Sequence, residues 1–279
     1  MRCDRLLAVG DPKQLPPTLL APPRAAVAAA AAAGGSGGAP PAAGPSLELT
    51  LFERLANCGV RPVMLRAQYR CPPLLSALAS RLFYGGQLRD GLGDGAAAAR
   101  APLLPGLPTL GFCEVRGAER VEERDGGSIS NGAEAARAVR LLGALRGCGV
   151  EPSQVGVVCL YRAQAALVTR LLLDAGLDGH TVSTVDAFQG AERDIIVVSG
   201  CRTSASSLGF VGVPTRFNVT ITRARHHLLV LGTANALMGD PLWAELITMS
   251  EAFPANFLAG APTPGAADVA DVPLSLSQG

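Results

Sequence analysis

Lysine is almost missing from this chain: Lys13 is the only one among 24 basic residues, and the rest are arginine. That lysine follows Asp11-Pro12, so no Gly-x-x-x-x-Gly-Lys-Ser/Thr phosphate loop is present, and no Asp-Glu pair occurs to end a magnesium-binding strand. Charged residues make up 17% of the sequence and the formal net charge is +1, so bulk charge argues for neither nucleic acid nor a membrane surface. The 7 cysteines include no C-x-x-C pair and no Cys/His cluster at zinc spacing. They read as reduced thiols, and no metal site is expected. The longest apolar run, Ala25–Ala33, is alanine, too short and too weakly hydrophobic to cross a bilayer, and no membrane partner is expected.

What the sequence does have is a 48% hydrophobic content, 33 Gly and 21 Pro. A sizeable core is therefore expected, broken by low-complexity segments that do not pack. Leu6–Val9 is a short apolar run ending at Gly10-Asp11-Pro12 and reads as a buried strand entering a turn. Residues 19–46 form an Ala/Gly/Pro/Ser insertion expected to be disordered. A helix is predicted over Leu47–Cys58 with Gly59 as its stop, a strand over Pro62–Tyr69, a helix over Pro72–Phe83, and a connector over 85–108. Further on come strand Leu110–Val115, helix Glu134–Arg146 capped by Asn131, strand Val155–Leu160 and helix Ala163–Asp174. Strands Thr181–Val185, Ile195–Ser199 and Leu228–Gly232, and a short helix Leu242–Ile247, complete the series. Alternating strands and helices predict an α/β protein with a doubly wound, mostly parallel sheet.

Four stretches concentrate chemistry-bearing residues: Gly10–Pro17 (GDPKQLPP), Leu65–Arg70 (LRAQYR), Val182–Glu192 (VSTVDAFQGAE) and Asn218–Arg225 (NVTITRAR). The third begins at the carboxyl end of a strand, where open α/β sheets place ligand chemistry. Gln14 offers a neutral amide that both donates and accepts. Tyr69 offers a flat face to a base, and Arg70 a guanidinium fork to phosphate oxygens. Asp186 and Gln189 also fit a plainer role, satisfying the amides of their own loop. His226 and His227 read as half-exposed residues at the entry of a strand.

These four words resemble motifs III, IV, V and VI of superfamily 1B helicases, in the nonsense-mediated-decay-like branch. Softer matches in Thr50–Leu55 (TLFERL), Leu82–Leu88 (LFYGGQL) and Leu160–Gln164 (LYRAQ) are similar to its DNA-processing members that carry a GRF-type zinc finger. The resemblance implies a RecA-like P-loop NTPase fold, with the C-terminal RecA-like domain complete over 70–250. It makes 1–69 the remnant of a truncated N-terminal RecA-like domain and 251–279 a disordered tail. It further implies that Gln14 senses the γ-phosphate of ATP, Tyr69 stacks on adenine and Arg70 reaches the γ-phosphate. Gly190 and Glu192 would contact the nucleotide, Thr184 a backbone phosphate of the nucleic acid, and Arg223 would be the arginine finger. Thr220 and Ile221 depart from the Ala and Leu usual in that motif.

The implied function is the C-terminal motor half of an ATP-dependent 5′-to-3′ helicase acting in DNA repair. Its partners would be single-stranded nucleic acid, DNA favoured over RNA, and the missing N-terminal helicase domain. ATP is the implied cofactor, with Mg²⁺ held by that missing part, and the location would be nuclear, with cytoplasmic as the alternative. Without a phosphate loop, the chain alone is expected not to hydrolyse ATP. The alternatives are a non-catalytic nucleic-acid- or protein-binding module derived from a helicase, or an RNA helicase of the same family. In either case Leu6–Val9 and Val63–Leu65 would lack sheet neighbours.

Overall fold

The computed structural model describes residues 6–17, 49–91, 102–122, 127–204, 208–254 and 257. The expected disordered insertion, residues 92–101 of the 85–108 connector and the tail beyond 257 lie outside them. The chain divides into two compact units, Met1–Met64 and Leu65–Gly279.

The first unit is small. Leu6–Val9 is not a strand: it has no ladder partner, and Leu6, Leu7 and Val9 are 63%, 89% and 85% exposed. An apolar run becomes a strand only where another strand takes up its amides, and none does so among the described residues. Helix α1 (Leu51–Asn57) is opened by a capping box: Glu53 N donates to Thr50 Oγ1 at 3.1 Å, and Thr50 N to Glu53 Oε2 at 2.9 Å. The helix buries none of its residues, and Gly59 ends it at φ +89°.

In the second unit, the predicted strand Pro62–Tyr69 shrinks to β1 (Ala67–Gln68). After helix α2 (Pro73–Phe83), β1 pairs in parallel with β2 (Arg89–Asp90). Strand β3 (Leu110–Glu114) enters the main sheet, and a hairpin not anticipated from sequence follows, β4 (Glu119–Glu122) against β5 (Ser128–Asn131). Helix α3 (Gly132–Gly147) starts at Asn131, whose side chain accepts from Glu134 N. Strand β6 (Val155–Cys159), helix α4 (Arg162–Asp174), strand β7 (Thr181–Thr184) and strand β8 (Arg193–Ser199) come next. Helix α5 (Pro214–Ile221), strand β9 (Ala224–Gly232), helices α6 (Ala234–Leu237) and α7 (Pro241–Met249), and strand β10 (Glu251–Ala252) complete the order. Residues 251 and 252, expected in the tail, thus contribute an edge strand, and Phe253 packs on the core.

The main sheet has six strands in the order β10-β3-β9-β8-β6-β7, every pair parallel. Ile195 and Val197 of β8 and Leu229 and Leu231 of β9 face a core cluster with α3 and α4 residues such as Leu142 and Leu171. Their alternates, Ile196, Val198, Leu228 and Val230, are equally buried at 0% exposure, so the sheet is covered on both faces. That explains why its strands read as continuous apolar runs and not as alternating ones. Helices α2, α5 and α7 pack together. Phe217 stands edge-on to Trp243 with centroids 4.9 Å apart, and Trp243 Nε1 donates to Val211 O at 2.9 Å.

His227 is fully buried rather than half-exposed. Its Nε2 accepts from Leu104 N at 3.3 Å, which makes Nδ1 the protonated nitrogen, donating to Pro108 O at 3.0 Å. Burial lowers its pKa below the ordinary histidine value and keeps the ring neutral.

Candidate functional site

Residues 182–192 cross the sheet. They leave β7 at Thr184, level with Cys159 and Ser199 at the carboxyl ends of β6 and β8, and enter β8 at Arg193, its amino end. At the rise of a parallel strand the two edges are about 20 Å apart. The crossing is pinned midway by Phe188, 1% exposed, whose ring covers Gly156 of β6. The turn is closed by Phe188 N to Thr184 O at 3.0 Å and Ala191 N to Phe188 O at 3.0 Å. Gly190 sits at φ +84°, a conformation glycine adopts without a Cβ penalty. Thr184 therefore lies at one edge of the sheet, while Glu192 lies at the opposite, amino-terminal edge, not at the carboxyl edge expected for the whole stretch.

At that amino-terminal edge Glu192 meets two arginines. Arg70 brings Nε to 2.5 Å from Glu192 Oε2. Arg225 donates Nε at 3.0 Å and Nη2 at 2.6 Å to Glu192 Oε1, and its Nη1 lies 3.6 Å from Asp194 Oδ1. The hydrogen bonds from Arg225, and then the nearby Arg70 charge, hold the Glu192 carboxyl below the usual carboxylate range against the opposing effect of burial. Arg70 Nη1 also donates to Thr222 O, 2.8 Å away, just past the end of α5. Three stretches far apart in sequence thus converge, and the sequence reading missed Arg225. Its only signal there was an Arg on the strand adjacent to the one that Glu192 precedes.

Tyr69 and Arg70 are presented by a turn that Gln68 organises. Gln68 Oε1 accepts from Arg70 N at 2.9 Å and Cys71 N at 3.1 Å, while its Nε2 donates to Cys71 O at 2.9 Å and to Asp90 Oδ1. The Tyr69 ring is 63% exposed and lies over Gly91, where any Cβ would overlap it. An aromatic face is left open to solvent within one residue of the Arg70 guanidinium.

Arg223 is placed differently from what a projecting finger requires. It is 3% exposed, with Nε donating to Val219 O at 3.0 Å and Nη2 to Thr222 Oγ1 at 2.8 Å. The hydroxyl of Thr220 is absorbed by its own helix, donating to Arg216 O at 2.8 Å. Asp186 does not cap its loop but pairs with Arg216, Nε at 3.2 Å from Oδ2 and Nη2 at 3.1 Å from Oδ1. Arg216 in turn lies 3.7 Å over the Phe210 ring. Gln14 belongs to the first unit, where its Nε2 donates to Asp11 Oδ2 at 2.9 Å in the Asp-Pro-Lys-Gln turn.

At the carboxyl ends of β6 and β8 lies a buried polar network. Glu134 Oε2 accepts from Ser199 Oγ at 2.6 Å and Cys201 N at 2.9 Å. Gln164, the polar residue of LYRAQ, accepts from Asn131 N at 2.7 Å and donates to Asn131 O and Ser199 Oγ at 3.2 and 3.0 Å. Burial pushes the Glu134 carboxyl up to about 7. Its groups satisfy one another, which makes it a structural device. Among the described residues no group of three His, Cys, Asp or Glu side chains is arranged to hold a metal ion.

A family model described as an AAA domain (AAA_12) matches residues 47–235. The mouse protein named 5′-3′ DNA helicase ZGRF1 is 41% identical over 255 residues, covering 90% of this chain and 12% of that protein. The Saccharomyces cerevisiae ATP-dependent helicase NAM7 is 33% identical over 254 residues, covering 87% of this chain and 24% of its own length. Regulator of nonsense transcripts 1 of Caenorhabditis elegans is 35% identical over 217 residues, with 74% and 20% covered. The chain therefore spans between an eighth and a quarter of the length of these relatives, within their 12–24% coverage.

Proposed function

The chain belongs to the AAA-domain (AAA_12) family of superfamily 1B helicases, matched over residues 47–235, and we propose that it forms one wall of the ATP cleft of a 5′-to-3′ DNA helicase. In this reading residues 70–250 form a RecA-like motor domain. The observation that carries it is the exposed Tyr69 ring beside an arginine already bound to a carboxylate at the edge of the sheet.

ATP fits these residues. Adenine stacks on the open face of Tyr69, the phosphates are met by Arg70, and Gly190 and Glu192 border the sugar. Arg223 serves as the finger, which requires its guanidinium to exchange Val219 O and Thr222 Oγ1 for a phosphoryl oxygen. Thr184, at the far edge of the sheet, contacts a backbone phosphate of single-stranded DNA, and the crossing loop links the two ends. The DNA preference rests on the likeness to the mouse DNA helicase.

Titration of the purified chain with a fluorescent ATP analogue tests this. Base–aromatic stacking is worth about 1–3 kcal/mol, so Tyr69→Ala is expected to weaken binding by roughly 5- to 150-fold. An affinity unchanged by both Tyr69→Ala and Arg70→Ala would remove the basis of the proposal.

A further inference from the structure

Glu192 is shared by two arginines in unequal ways. Arg225 reaches it with two N–H groups, both on Oε1, whereas Arg70 reaches it with one, on Oε2. The two also stand on different supports. Arg225 lies on β9 inside the six-stranded sheet, and its third contact is Asp194 on the neighbouring β8. Asp194 is itself held by Gln154 Nε2 at 3.0 Å from Oδ2. Arg70 stands on the turn after a two-residue strand outside that sheet, and its other acceptor is a carbonyl past the end of α5.

We propose that Arg225 is the fixed partner of Glu192 and Arg70 the exchangeable one, so that Arg70 leaves for a polyphosphate while Arg225 holds Glu192 in place. The inference rests on the nucleotide reading above and assigns a positioning role to Arg225. The charge balance explains the need for two arginines. When Arg70 moves to a phosphate, Glu192 would otherwise stand alone as an uncompensated anion beside an incoming polyanion. With Arg225 bound, Oε1 stays satisfied and the carboxylate stays neutralised, so only the Oε2 contact must be given up, and water replaces it at this partly exposed site. Arg225 is also the stronger influence on the Glu192 carboxyl, since its hydrogen bonds contribute most to keeping that group ionised.

The test is side-chain NMR on the 279-residue chain, following arginine Nε–H groups and the Glu192 carboxyl carbon. Before any ligand is added, Arg225 Nε–H is expected to exchange with water more slowly than Arg70 Nε–H. Arg225→Gln is expected to raise the Glu192 titration midpoint more than Arg70→Gln does. On addition of tripolyphosphate, the Arg70 resonance shifts while Arg225 and Glu192 stay. Arg225→Gln weakens tripolyphosphate binding severalfold in the wild-type background and much less in Glu192→Gln, because Glu192 no longer has to be held. Equal weakening in both backgrounds, faster exchange at Arg225 than at Arg70, or Arg225 and Arg70 shifting together would each overturn the proposal. Failure of tripolyphosphate to perturb Arg70 at all would count against the nucleotide reading, while the ligand-free exchange rates still decide the roles of the two arginines.

Discussion

The ring of Phe188 rests on Gly156, so closely that a Cβ built there would meet Phe188 Cζ at 2.5 Å. This contact lets the chain from Thr184 to Glu192 cross the face of β6 and place its two ends at opposite edges of one sheet. Gly156→Ala must displace a ring that is 1% exposed. Overpacking of this kind costs about 1–3 kcal/mol. Urea unfolding is expected to show a lower midpoint and an unfolding free energy smaller by that amount, and an unchanged midpoint would mean that Phe188 repacks freely.

Gly91 has the same relation to Tyr69 with a different expected consequence. A methyl group there overlaps the ring, but Tyr69 is 63% exposed and has room to swing away. Gly91→Ala should leave stability within about 1 kcal/mol while lowering affinity for the ATP analogue toward that of Tyr69→Ala. Full nucleotide affinity in Gly91→Ala would show that the ring orientation seen here is not the one that matters.

Glu134 predicts a pH effect of definite sign. Its folded pKa is raised from 4.5 to about 7 by burial, so the folded state retains a proton that the unfolded state releases. The stabilising contribution is complete below the unfolded value and is lost as pH rises from about 4.5 to about 7. At pH 8 the loss is on the order of 3 kcal/mol. Glu134→Gln cannot titrate, so the difference in unfolding free energy between wild type and variant should change across that window and be flat above it. A difference independent of pH from 5 to 8 would mean that Glu134 ionises normally.

Most of the second unit could be read from the residues. The predicted strands Val155–Leu160, Ile195–Ser199 and Leu228–Gly232 overlap β6, β8 and β9, the first running one residue past its strand, and Asn131 caps α3 as its side-chain chemistry predicts. Leu6–Val9 and most of Pro62–Tyr69 have strand-forming composition, yet pairing, and not composition, decides whether a strand exists. The β4–β5 hairpin escaped because Glu119–Glu122 and Ser128–Asn131 carry no apolar alternation. Within the site, Tyr69, Arg70 and Glu192 were legible as motif residues. Arg225 was not, because its partner becomes a neighbour only when β8 and β9 pair. The burial of Arg223, His227 and Glu134 likewise depends on long-range packing that no local pattern encodes.

On the proposed reading, this chain binds a nucleotide on one wall of a cleft and is expected not to turn it over by itself. The direct measurement is ATP hydrolysis by the purified chain, with and without single-stranded DNA, next to Arg223→Ala. Phosphate release is expected to stay at the rate of the buffer control in every case, while the ATP analogue still binds in a Tyr69-dependent way. Hydrolysis stimulated by single-stranded DNA and abolished by Arg223→Ala would contradict it.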